Sequence, residues 1–175
     1  IDDRFGNMLH WHGEEKMRLA AQSHAAAIDF IEQTSQELHI ECDFQRLDGY
    51  LISAGEDEEV DLDEEFAASK RAGVSVETAS KAPLAEFDTG RCLRFPQQAR
   101  FHPFKYLDGL AKAFKRSGGK VFTNSHVDKI VSGETAKVHV GEHAVSAASV
   151  VVATNSPIND MFALHTKQAP YMTYV

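Results

Sequence analysis

Cysteine is scarce in this chain. Cys42 and Cys92 stand alone, with no CxxC pair and no histidine beside them at zinc-ligand spacing. That usage argues against a disulfide or a reactive thiol, predicts two buried thiols and suits a reducing, cytoplasmic compartment. No apolar run approaches the ~20 residues needed to cross a bilayer, so no membrane span is expected. The 18 Lys and Arg residues are scattered and form no basic stripe, which excludes nucleic acid as a partner. Three motifs are also missing: a GxGxxG turn, a GxSxG elbow and a phosphate loop, since Gly118-Gly119 in RSGGK stop a helix and do not feed one.

What is present is ordinary for a folded protein. Of the 175 residues, 43% are apolar and 25% charged, enough to bury the core of one domain or two small ones. The net charge of −8 is concentrated, because EDEEVDLDEE, Glu56 to Glu65, holds eight acids and its removal leaves a neutral remainder. That stretch reads as one solvated loop. The start, IDDRFGNM, has neither an initiating Met nor a signal-peptide core, and APYMTYV ends on a strand-like run; both suggest a piece of a longer chain.

Along the chain, Met17, Ala20, Ala21, Ala25, Ile28, Ile31 and Leu38 follow helical spacing between Glu14 and His39, with Gly13 before them. CDFQRLDGYLIS turns to strand chemistry, with Asp48-Gly49 as a turn or bulge and a hairpin in prospect. The acidic stretch leads into FAASKRAG, which predicts a short helix preceded by Glu64 and Glu65, as charge preference at a helix start suggests, and ended by Gly73. The stretch from Val74 to Phe101, punctuated by Pro83, Gly90 and Pro96, predicts loops joining short strands. Pro103 opens a helix whose apolar face is Phe104, Leu107, Leu110, Ala111 and Phe114, closed by Gly118 and Gly119. KVFT predicts a strand, VDKIV, AKVHV and HAVSA an antiparallel meander, and ASVVVATNSP a buried strand ending in a small, polar turn. Helix, strand, meander and returning strand make half of a nucleotide-binding α/β domain, and the carboxyl end of such a strand is where α/β sheets place a ligand.

These segments, FHPFKYLDGLAKAFKRSGGKVF, HVDKI and ASVVVATNSP in that order, resemble the FAD-dependent oxidoreductases of the D-amino acid oxidase and glycine oxidase superfamily. GEEKMRLAAQSHAAAIDFIEQ and CDFQRLDGYLIS resemble the family's middle helix and first substrate-domain strands, so the likeness spans the chain. FDTGRCLRFPQQARFHPFKYL and HTKQAPYMTYV are similar to bacterial members fused to a carboxyl-terminal Rieske iron–sulfur domain; no cluster-binding Cys/His pairs lie within these residues.

The resemblance implies an α/β plus α+β architecture, with a Rossmann-like FAD-binding domain interleaved with a mixed-sheet substrate domain. Residues 1–43 and 99–158 would belong to the first, 44–98 and 159–175 to the second. It implies that the main chain of Val127 meets the adenine edge of FAD, and that Ala153, Thr154 and Asn155 form the turn against the cofactor. Asn155 stands where Gly is commoner in the family, and Asn tolerates the left-handed conformation. Tyr50, Lys167 and Tyr171 are the implied substrate-facing groups, with Gln168 beside them; the resemblance identifies no catalytic residue. The implied reaction moves a hydride from the carbon beside an amine to flavin N5 and leaves an imine that water hydrolyses. Its partners would be a small amine or amino acid and an electron acceptor, either oxygen or a redox partner such as a Rieske protein.

Two other readings stand beside this one. His10 and His12, which would share a face if HWHG were a strand, and His139 with His143 invite a metal site, but two ligands do not make one, and no metal is expected. The chain could also be a cofactor-free interaction or regulatory module, because the pyrophosphate-binding turn is absent from these residues.

Overall fold

Gly13 divides the first helix. In this computed structural model, which describes residues 3–53, 61–154 and 158, α1 spans Phe5–Glu37, and Gly13 inside it adopts φ 79° and ψ 167°. Two helical segments therefore meet at a kink that a residue without Cβ accommodates. The expected helix from Glu14 is present, and a further segment, Phe5 to His12, precedes it. His10 and His12 lie on this helical segment, where residues two apart do not face each other; the shared strand face considered for them does not exist.

The remaining elements are β1 (Gln45–Ile52), α2 (Leu62–Ala72), β2 (Glu77–Ala79), β3 (Cys92–Arg100), α3 (Pro103–Arg116), β4 (Lys129–Val131), β5 (Ala136–Val140) and β6 (His143–Ala147). They form two compact units, Ile1–Lys120 and Val121–Val175.

In the first unit an antiparallel sheet has the order β1-β3-β2. No hairpin forms within CDFQRLDGYLIS; β1 is one strand, and its partner is β3, about 50 residues further on. Asp48-Gly49 does mark a bulge, because the register shifts between Leu47 and Gly49. Opposite it, Pro96 and Gln97 are skipped by the ladder and Gln97 takes φ 61°. Pro96 thus sits inside a nine-residue strand where loops were expected, at the one place where it has no ladder bond to donate.

Helix α2 begins with Asp61, whose carboxylate accepts from the amides of Asp63 and Glu64 at 3.0 and 2.9 Å, and ends at Gly73 with φ 80°. The acidic stretch is therefore not all solvated loop. Its last residues form the first turn of α2, where carboxylates favour the helix dipole, and Glu65 is buried. Phe5, Met17, Ala21, Ala68 and Ala72 make the core between α1 and α2, and Phe95 of β3 packs against it. Cys42 and Cys92 are both buried free thiols, as their scarcity suggested.

Helix α3 starts with Pro103 at its first turn and closes as expected: Gly118 and Gly119 donate to the carbonyls of Lys115 and Phe114, each at 3.0 Å. Its packing face differs from the expected one. Tyr106 and Ala113 are buried and Gly109 meets Ile40, whereas Phe104, Leu107 and Phe114 are exposed, Phe104 by 79%.

In the second unit the meander β4-β5-β6 forms as expected, with antiparallel registers Ile130↔Val138 and Val138↔Val145. The two flanking strands do not. KVFT and VVVAT have no strand conformation, and Phe122 and Val151 are 75% and 89% exposed. The reason is physical: a β-strand exists only as a member of a ladder, and among the described residues neither run belongs to one.

Candidate functional site

The expected site residues fall on both units. Tyr50 belongs to the first; Val127, Ala153 and Thr154 belong to the second. Asn155, Lys167, Gln168 and Tyr171 lie outside the described residues.

Tyr50 sits in β1 directly opposite Arg94 of β3, so the two side chains leave the same face of the sheet. Their neighbours Gly49 and Phe95 leave the other face, where Phe95 meets the α1–α2 core. The half-buried Tyr50 therefore stands on the face turned away from that core. Beside it Arg94 is held from both sides: its Nε donates to Asp48 at 2.7 Å, and its Nη1 donates to Glu77 at 2.8 Å. The Asp48 carboxylate, and behind it Glu77, stabilise the guanidinium and raise its already high pKa. Chemically this face offers a phenol beside a fixed guanidinium whose charge two carboxylates more than balance. Sequence reading treated Asp48 only as a turn former and passed over Arg94 and Glu77. An arginine within an apolar strand run, two residues before a bulge-forming proline, was the available signal, but it becomes informative only once the register is known.

Val127 lies just before β4, with a half-buried side chain. Asp128 pins the main chain there, its amide donating to the carbonyl of His139 at 2.9 Å and its carboxylate accepting from the amide of Gly141 at 2.5 Å. Among the described residues Val127 itself has no main-chain hydrogen bond besides those within the strands, and it lies at the edge of the meander. Contact with a purine edge would need one donor and one acceptor, which a peptide N–H and C=O can supply. Ala153 and Thr154 are exposed and outside any strand. Among the described residues no group of three or more metal-ligating side chains is gathered, and no helix is long and apolar enough to cross a membrane.

Comparison with known proteins identifies the family and the fold. A 1.00-probability structural match is the crystal structure of glycine oxidase from Geobacillus kaustophilus, with a TM-score of 0.64 at 20% identity, covering 79% of this chain and 39% of that one. In sequence the chain is 24% identical over 157 residues to YhfW of Bacillus subtilis (strain 168), a protein named for a Rieske 2Fe-2S iron–sulfur centre. That match covers 89% of this chain and 31% of the relative, so the chain spans about a third of each protein. The family model for FAD-dependent oxidoreductases, DAO, matches residues 3–174. The chain belongs to the DAO family of FAD-dependent oxidoreductases.

Proposed function

We propose that this chain is an internal part of an enzyme that oxidises the C–N bond of a small amine or amino acid. The bound flavin would accept the hydride, and the substrate would leave as an imine. In this reading the main chain of Val127 receives the adenine edge, Ala153 to Asn155 approach the cofactor closely, and Tyr50, with Lys167 and Tyr171, faces the substrate. The observation that carries it is the main chain of Val127, which has no main-chain partner among the described residues and adjoins the two bonds of Asp128, in a chain matched over residues 3–174 by the family model.

We keep the interleaved assignment, with residues 1–43 and 99–158 in the cofactor domain and 44–98 and 159–175 in the substrate domain. Under it, the exposed KVFT and VVVAT runs would become strands of a parallel sheet completed by other parts of the enzyme. Residues 1–175 alone would then bind no flavin and turn over no substrate. The electron acceptor would be oxygen or a redox partner, and the Rieske name of the relative makes an iron–sulfur protein a reasonable candidate.

The experiment is the visible absorption spectrum of the full-length protein, purified beside residues 1–175. Flavin bands in the former and none in the latter support the reading, and an amine substrate screen follows. A full-length protein that stays colourless after FAD is added overturns it and leaves the cofactor-free module.

A further inference from the structure

The residue that opens α1 does not cap it. Arg4 stands at the N-cap in extended conformation and its side chain makes no capping bond. The first two helical amides are instead satisfied from 60 residues away: Phe5 N–H donates to Glu65 Oε1 at 2.9 Å, and Gly6 N–H to Oε2 at 2.8 Å. Glu65 is only 5% exposed; its bond to Phe5 is buried and its bond to Gly6 partly so. At the other end of this short segment Gly13 leaves helical φ/ψ and kinks the helix, and a Cβ there would meet nothing within 4 Å. Phe5 to His12 is thus held at one end by Glu65 and by the burial of Phe5, rests on the core through the partly buried Met8 and Leu9, and is joined at the other end through a break with open space around it.

The start of the segment also borders a cavity. Arg4 and Phe5 form one wall of a cavity of about 550 Å³, whose other walls include Ala21 and Ile28 of α1 and Leu51 and Phe95 of the sheet. A volume of that size falls in the range of small-molecule pockets, about 300–1,000 Å³.

We propose that Phe5 to His12 is a hinged strap whose first residue borders this cavity, that Gly13 is its hinge, and that the Glu65 carboxylate is its latch. Glu65 is a positioning residue. It ties α2, in the segment assigned above to the substrate domain, to the entry of the helix assigned to the cofactor domain. Movement of α2 would thereby be transmitted to the entry of α1. The inference rests on the proposed function only for naming those two sides.

The chain carries its own reporter. Trp11 is the sole tryptophan, it lies on the strap, and it is 59% exposed. In residues 1–175, Glu65→Ala should add a fast component to the anisotropy decay of Trp11 and speed amide exchange at Phe5 and Gly6 by about tenfold, as loss of a helix cap would. Exchange in β3 should stay within about twofold of the parent, since the core that β3 joins is otherwise intact. If Glu65→Ala does not fold, Glu65→Gln keeps the shape and one acceptor, and the same changes should follow at smaller size. Unchanged Trp11 anisotropy and strap exchange would overturn the latch. Equal acceleration in the strap and in β3 would overturn the hinge, since Glu65 would then hold the whole unit together. None of these readouts requires flavin, so they separate the strap from the cofactor assignment.

Discussion

Gly109, in the middle of α3, lies directly against the side chain of Ile40 just beyond α1. Glycine in a helix interior costs about 1 kcal/mol relative to alanine, so its position needs a reason. The reason is contact, because a Cβ at Gly109 would overlap Cγ1 and Cγ2 of Ile40. Gly109→Ala should therefore destabilise the chain by about 1–3 kcal/mol despite its better helix propensity, as overpacking does. Chemical denaturation compares the two proteins. An unchanged or raised midpoint would mean that Ile40 moves aside freely.

Arg46 joins three segments. Its guanidinium donates to Glu32 at 2.6 and 2.9 Å and to Asp29 at 2.5 Å on α1, and to the carbonyl of Gln97 at 3.0 Å at the β3 bulge. A lysine cannot reproduce that fork. Arg46→Ala should cost about 2 kcal/mol, and Arg46→Lys should recover less than half of it. Denaturation curves for both variants, with Glu32→Gln as a partner for a double-mutant cycle, measure the coupling.

Acid should loosen the exposed tie between α1 and α2. Glu14 receives both Nε and Nη2 of Arg71, at 3.0 and 2.6 Å, and these bonds hold its pKa below the usual carboxylate range. A depressed folded-state pKa contributes stability that is present above the unfolded value and lost as the pH falls through the folded one. The tie is thus complete at neutral pH and fades below about pH 4. Side-chain NMR titration of Glu14 should show its pKa rise toward the ordinary range in Arg71→Ala, with Arg18 still lowering it. No movement in that variant would mean that the pair does not persist in solution.

If the main chain of Val127 is what the cofactor meets, its side chain should matter little. In the full-length protein Val127→Ile should retain flavin, whereas Val127→Pro, which removes the N–H donor, should weaken FAD binding by about tenfold, the worth of one hydrogen bond. Circular dichroism identifies any variant whose meander is lost. Equal retention of flavin by both variants would remove Val127 from the cofactor site.

Tyr50 and Arg94 share one face of the sheet, and the proposed function turns that face to the substrate. Tyr50→Phe should lower kcat/KM of the full-length enzyme by about tenfold with flavin content unchanged, as loss of one hydroxyl contact would. Arg94→Gln should lower stability as well, because it strands Asp48 and Glu77 beside each other. Steady-state kinetics with full activity in Tyr50→Phe would return that tyrosine to a packing role.

Local chemistry made much of the fold legible. The helix stops at Gly73 and Gly118, the bulge at Asp48-Gly49, the helix start at Pro103 and the three meander strands depend on φ/ψ preferences and patterns within a few residues, and those are written in the sequence. The family was legible for a related reason, since its cofactor-binding segments are short runs with a fixed order, and the family model spans nearly the whole chain.

What the tertiary structure decided are relations between distant residues. Strand character in KVFT and VVVAT could be read from their valines and phenylalanine, but a strand forms only where a neighbour completes the ladder. The apolar stripe of α3 was visible too, yet the face that packs is the one on which Gly109 lets Ile40 come close. Glu65 could be read as an acid suited to the start of a short helix, but not as the acceptor that folding brings to the amides of Phe5 and Gly6. A carboxylate in water and one buried against two helix N–H groups have the same letter in the sequence. Only the chain's path through space tells them apart, because burial and pairing are properties of neighbours that sequence separation does not encode.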